Sequence, residues 1–340
     1  MLLNLLSYDG AVPELAGLPR AAHAGHALIG RATIGREAWF GAGSVIRADA
    51  HYVRAGDDLR LGRGATVHIA HARWPSVMGQ RVSVGANAVV HACTLGDDVI
   101  VEEDAVVLDG AEVGAGAVLE AGCVVFPRTV LPGGHLYAGK PAKAVRELTP
   151  EEHRTRAAAL AARIEAADAA WPCAPRAAAA APDAFVAGTA WLAGDVRLAA
   201  ASSVWFGCRL DARAGAISVG RQCNVQDNSV LVAGPGGLAI GDGSTIGHNV
   251  ELVDCTVGAH CLVGIGSRIA AGTVIADDTF VAGGAVTTPA QVLEGGWLWG
   301  GVPARKLTPL DDAKRRIVQG TATVYVEYAR VLMEGIAAAG

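Results

Sequence analysis

The stretch VGANAVVHACTLGDDVIVEEDAVVLDGAEV, residues 84–113, repeats in steps of six. The pairs Val84-Gly85, Leu95-Gly96, Val101-Glu102, Val107-Leu108 and Val113-Gly114 carry the rhythm, with one five-residue step before Leu95. Neither the helix period of 3.6 nor the strand period of 2 accounts for it. A six-residue repeat marks a parallel β-helix, whose short strands each form one flat face. The aliphatic residue points inward and stacks on its equivalents in the coils above and below. Glycine belongs at the corner, where no Cβ obstructs the turn.

Composition agrees. The 340 residues suffice for two domains, and aromatics make up only 5% while glycines number 44, which suits thin stacked coils. Net charge is −5 with no basic stripe, which argues against nucleic acid as a partner. The opening MLLNLLSYDG lacks a basic region and a cleavage-like site, and no apolar run is long enough to span a membrane. The seven cysteines, Cys93, Cys123, Cys173, Cys208, Cys223, Cys255 and Cys261, show no CxxC spacing. They read as reduced, buried fillers in a cytoplasmic protein.

The repeat occurs twice. NAVVHACTLGDDVIV at 87–101 aligns with NVELVDCTVGAHCLV at 249–263, and Pro141-Ala142-Lys143 aligns with Pro303-Ala304-Arg305 at the same offset, the mark of a tandem duplication. The expected order is an irregular lead-in at 1–27, a first β-helix at 28–148 with an inserted loop at 51–59, and a helix at 149–170. A Pro/Ala linker at 171–184, a second β-helix at 185–306 and a C-terminal helix at 307–340 follow. Thr149-Pro150-Glu151-Glu152 has the form of a helix start. In the last helix, Ile317, Val324, Tyr328, Val331 and Leu332 form an apolar stripe. The acidic corners Asp97-Asp98 and Glu102-Glu103-Asp104 read as solvated.

The second half resembles the γ-class carbonic anhydrases and their relatives in the hexapeptide-repeat (LpxA-like) superfamily. The resemblance rests on Ser203-Val204-Trp205-Phe206-Gly207, Asn224-Val225-Gln226-Asp227, Ile246-Gly247-His248-Asn249 and Gly301-Val302-Pro303-Ala304-Arg305. The first half resembles the same family through Arg47-Ala48-Asp49, Val90-His91-Ala92-Cys93-Thr94 and Gly139-Lys140-Pro141-Ala142-Lys143. The resemblance implies an all-β fold with flanking helices: two left-handed parallel β-helices, each followed by an α-helix. It also implies three-fold packing of β-helices in a homo-oligomer or hetero-complex. In the family a metal lies between neighbouring subunits, held by three histidines, and the open fourth position carries the water that attacks CO2.

Carried over residue by residue, the ligand set is split. In the second half the first histidine slot is Val232, the second is His248 and the third is Val253. In the first half the second slot is Ala86 and the third is His91, while the first falls on Trp74 by strict counting, or on His68 or His71 if one coil is short. The losses are complementary, so a composite site of His91, His248 and one of His68 or His71 around zinc is expected, with cobalt or iron as alternatives. Two histidines alone bind zinc weakly, and a metal-free chain is the competing expectation. Alternating halves cannot close a three-membered ring, so a composite site needs an unequal trimer or a third subunit. Arg47 and Asp49 match a subunit-bridging R-x-D pair, which Asp211 and Arg213 repeat with the charges exchanged. Gln226 and Asp227 match the polar wall of the site.

Three functions follow from these residues. The first is zinc-dependent CO2 hydration, a lyase reaction with CO2 and bicarbonate as partners, at an interface between unlike halves. The second is a non-catalytic scaffold, which the ligand losses favour. The third is hexapeptide-repeat acyl transfer with a histidine base, for which the chain carries no CoA-binding signature.

Overall fold

The computed structural model describes residues 3–167, 169–172 and 176–339; Cys173 and part of the expected linker lie outside them. The chain forms two compact units, Met1–Trp171 and Pro172–Gly340.

In the first unit the six-residue steps become short parallel strands on three faces. One ladder runs Thr66–His68, Val89–His91, Val106–Val107, Val124–Val125, and a second runs Ser76–Met78, Thr94–Leu95, Glu112–Val113, Val130–Leu131. A third includes Trp39–Phe40, Arg60–Leu61, Ser83–Val84, Ile100–Val101 and Val118–Leu119. Partners such as Leu95 and Val113, or Val113 and Leu131, stand three six-residue steps apart, so three repeats make one coil. Inside, Ile46, Leu61, Val67, Val84, Val90, Leu95, Val101, Val107, Val113 and Leu119 belong to one continuous core. Each such side chain stabilises the stack by about 1.5–3 kcal/mol through removal from water.

The glycines have a more specific reason than the turn itself. Gly62 and Gly85 have no positive φ, but a Cβ on either would come within 2.7 Å of a backbone nitrogen of the next coil. Coil-to-coil approach excludes the side chain there. The left-handed corner positions are shared between other glycines, such as Gly64 and Gly116, and residues such as Asn87 and Asp104 (φ 57° each), whose short polar side chains tolerate that conformation.

Several boundaries differ from those expected. The lead-in is already part of the ladder: Leu5 pairs with Leu28, Glu14 with Thr33 and Ala21 with Trp39. The insertion at 51–59 is largely strand, because Val45–Ala55 runs on through a register shift and bends across two faces to pair with Thr66–His68 and Ser76–Met78. The Pro/Ala linker is also partly strand, since Ala178–Ala180 pair with Val196–Leu198. Backbone ladder bonds hold the Ala178–Ala180 edge without large side chains, while Leu5, Leu15 and Val53 pack on or in the core without the six-residue spacing that would announce them.

The helix α1, Pro150–Ala166, starts where expected: Thr149 caps it and exchanges a capping box with Glu152. It packs Leu160 and Ile164 against Ile100, Val118 and Leu136. The acidic corners are its anchors, with Arg156 on Glu102 at 2.8 Å and Arg163 on Glu103 at 2.6 Å. The helix ends at Ala166, short of Ala170. Beyond it Arg63 donates to the Ala170 carbonyl and stacks on Trp171, whose ring covers Gly25 and Gly43 so closely that a Cβ on either would meet it at 2.4 Å.

The second unit repeats this plan, with Arg209–Val219 as its long strand and three parallel faces. The longer helix α2, Asp312–Ala339, packs on the strands Phe185–Val186, Ser203–Val204, Asn224–Val225 and Thr245–Ile246. Its buried residues are Val318, Ala322, Tyr325, Tyr328, Ala329 and Leu332. Ile317, expected in the stripe, is 52% exposed, because the face turns one residue onward to Val318.

Candidate metal centre

Strand alternation sets the site in the first unit. Val45 pairs with Thr66 and Ile46 with Val67; Val67 then pairs with Val90 and His68 with His91. Ile46, Val67 and Val90 point into the core, so Arg47, His68 and His91 project from the opposite side of three successive strands. Register therefore chooses His68 as the neighbour of His91. His71 lies in the following loop, exposed and at φ 45°, and Trp74 packs under Arg73 at 4.1 Å.

The two imidazoles stand edge to face with ring centres 5.4 Å apart, and one ligand nitrogen from each lies within 4.8 Å of the other. His68 Nδ1 is 2.8 Å from the Arg47 carbonyl oxygen, which can only accept, so Nδ1 carries the hydrogen and Nε2 is left with its lone pair. His91 Nδ1 is 2.6 Å from Asp109 Oδ1. Burial opposes ionisation of Asp109, but the charge contact and hydrogen bond with His91 outweigh it and keep this carboxyl below its usual range. An ionised Asp109 accepts, so His91 likewise presents Nε2. A carbonyl and a carboxylate behind the rings are the outer supports that orient metal-binding histidines. The donor set thus fits a divalent metal, and the Nε2 atoms are the nitrogens that would hold it. Cys93 takes no part: it faces the core, and burial pushes its thiol far up.

The arginine is the unusual member. Arg47 is fully buried, donates from Nη1 to Asp49 Oδ2 at 2.8 Å, and places Nη2 3.0 Å from His68 Nε2. The Arg47–Asp49 pair is thus a buried network touching a candidate ligand.

The same ladder in the second unit reads Asp211, Val232, Val253. Neither valine can coordinate. Asp211 is gripped by Arg213 at 2.8 and 2.7 Å and by Arg209 at 3.0 Å, and the Arg213 hydrogen bonds hold its carboxyl far below the usual range. Both guanidinium groups lie over the Trp191 ring. His248 is buried on another face, with Nδ1 3.1 Å from Asp227 Oδ2 and Nε2 3.3 Å from the Tyr325 hydroxyl. Asp227 also accepts from the Phe206 N–H at 3.0 Å. Gln226 donates to Asn224, which donates to Thr245, a buried polar string beside them.

Sequence reasoning missed two of these residues. Asp109 lies one whole coil after His91, so the six-residue period would have found it. Tyr325 comes from α2, 77 residues beyond His248, and has no local signal.

No protein-family model matches the chain. Gamma carbonic anhydrase 1, mitochondrial, of Arabidopsis thaliana is 36% identical over 155 residues, covering 44% of this chain and 56% of that protein. A "Probable carbonic anhydrase" of Methanocaldococcus jannaschii is 34% identical over 130 residues, covering 38% of this chain and 80% of that protein. The chain belongs to the γ-carbonic anhydrase-like family of hexapeptide-repeat proteins. It spans just over half the length of the Arabidopsis relatives. A solved structure from Desulfovibrio desulfuricans G20 matches 88% of this chain and 69% of its own with a TM-score of 0.53 at 12% identity, which shows the fold. A hexapeptide transferase family protein from Anaplasma phagocytophilum covers 48% of this chain and 95% of its own at 28% identity, with a TM-score of 0.43. Among the described residues of this γ-carbonic anhydrase-like chain, no helix is long and apolar enough to cross a membrane.

Proposed function

We propose that this chain holds a divalent metal, zinc foremost and cobalt or iron as alternatives, through His68, His91 and His248, and that it hydrates CO2. The observation that carries the reading is the His68–His91 pair, with both Nδ1 atoms tied to acceptors, which makes the two Nε2 atoms the nitrogens that would hold a metal. His248 is assigned the third position from its sequence context, Ile246-Gly247-His248-Asn249. A second-unit face supplies His248 where the first unit has Ala86, so each unit lacks what the other carries. A metal held there supplies the Lewis acidity that makes a hydroxide nucleophile available near neutral pH. The protein's part is to orient the rings through the Arg47 carbonyl and Asp109. The second unit's own ladder, with Val232 and Val253, is structural in this reading.

The test is elemental analysis of tag-free protein after incubation with zinc, followed by CO2 hydration assays. Metal should be retained by the wild type and lost in His68→Ala, His91→Ala and His248→Ala. Retention in His248→Ala alone would remove the composite site, and no metal uptake by the wild type would remove the anhydrase reading.

A further inference from the structure

We propose that Arg47 is a resident cation that keeps the ligand nitrogen of His68 engaged until a metal displaces it, so that metal loading is gated by the Arg47–Asp49 pair. The inference rests on the metal-binding reading above and adds a control on that same site.

The geometry leaves little alternative for the nitrogen lone pair. His68 Nδ1 is committed to the Arg47 carbonyl, so Nε2 is the only nitrogen with which His68 can coordinate. That nitrogen has one in-plane lone pair, and Arg47 Nη2 donates to it at 3.0 Å. A hydrogen bond and a metal cannot share one lone pair, and a guanidinium at that distance also repels an incoming cation. Arg47 cannot deprotonate to make way. It has to turn.

Asp49 makes that turn affordable. It already neutralises Arg47, and its Oδ2 lies 3.9 Å from His68 Nε2, so the guanidinium can swing towards its carboxylate without being stranded. With Arg47 and Asp49 both fully buried, the exchange takes place inside the protein, not through solvent. The second unit shows the control case. Asp211 stands at the ladder position of Arg47, and its neighbour is Val232, so there is no imidazole lone pair to guard and a carboxylate stands where the guarding cation would be.

The experiment is a cobalt(II) titration of the full chain, followed by visible absorption, for wild type, Arg47→Met and Arg47→Met/Asp49→Asn. Losing a charge-assisted hydrogen bond that competes with the metal should tighten cobalt binding about tenfold or more in Arg47→Met. The double variant separates release of the nitrogen from simple exposure of the Asp49 charge, and the gain should persist in it. Equal or weaker binding in Arg47→Met, or a gain seen in the single variant and absent from the double, overturns the gate. If all three proteins bind cobalt equally, the metal site stands and the gate falls; if none binds, both fall. Should Arg47→Met not fold, zinc titration of wild type labelled with ¹⁵N-arginine decides. The Arg47 Nη–H signal should shift as zinc binds, and a signal unmoved by bound zinc overturns the proposal.

Discussion

Two ladders on equivalent strands of the two units carry opposite chemistry. The first reads Arg47, His68, His91 and the second Asp211, Val232, Val253. Behind both, the inward neighbours are the same kind of residue: Ile46, Val67 and Val90 in one unit, Leu210, Leu231 and Leu252 in the other, all buried. In a solenoid the backbone ladder and the inward stack hold each coil to the next, and the outward side chains contribute little to that contact. One face can therefore lose both ring ligands and reverse its charge while the coil beneath is unchanged. The lesson is that fold and site are separable here, and the second unit's architecture is no evidence that it keeps the chemistry.

The largest expected effect tests whether the inner sides are equivalent. Ile46→Ala and Leu210→Ala should each cost about 2–5 kcal/mol in denaturant unfolding, since each empties a fully packed position on a central strand. A cost under about 1 kcal/mol at one site alone would break the comparison at its foundation.

The outer sides should then differ sharply. At zinc a hundredfold above its dissociation constant, the wild type should gain about 2.7 kcal/mol in thermal unfolding. That gain should vanish in His68→Ala and His91→Ala and survive in Val253→Ala. Zinc stabilisation that survives in His91→Ala would place the metal elsewhere.

A smaller effect sharpens the role of the support behind His91. Asp109→Asn should weaken zinc binding by about 10–100-fold, read by chelator competition, with little change in the melting of the metal-free chain. Unchanged affinity would reduce Asp109 to a surface hydrogen-bonder.

The smallest effects concern the helices that follow each coil stack. Thr149→Ala should cost about 1 kcal/mol in denaturant unfolding. The two caps also respond differently to acid. Hydrogen bonding to the Thr149 backbone, then to Arg146, holds Glu152 down at about 2. Its contribution is complete above the ordinary glutamate value of about 4.3 and is lost as pH falls towards about 2. In α2, Asp311 accepts from the Lys314 N–H, and hydrogen bonds from Lys314 lower its pKa as well. There the capping atom itself is a carboxylate, whereas the Thr149 hydroxyl does not titrate. As pH falls below the ordinary aspartate range, amide-exchange protection at Lys314 should fall further than at Glu152. Equal loss would show that the return bond from Glu152, not the hydroxyl, holds α1.

By itself the sequence determined the coil. An aliphatic residue every sixth position is required because each repeat must bury one side chain, and at corners such as Gly62 and Gly85 a glycine stands beside it because the next coil's backbone comes too near for a Cβ. It also determined the start of α1 at Thr149, where the capping atoms are all local, and it singled out His91 and His248 by their neighbours. Tertiary structure decided what a period cannot carry. The choice of His68 over His71 and Trp74 depended on a loop between two strands, where counting by sixes fails and only register across coils tells which side chain stands beside His91. The burial of Arg47 against His68, and the Tyr325 hydroxyl at His248, join residues whose closeness comes from packing, not from spacing. The lead-in strands escaped notice because Leu5 and Leu15 pack on the core outside the six-residue spacing, and the strand in the Ala-rich segment because its pairing uses backbone hydrogen bonds, which leave no trace in side-chain pattern. Inward positions obey the repeat because burial enforces it; outward positions answer only to their neighbours in space.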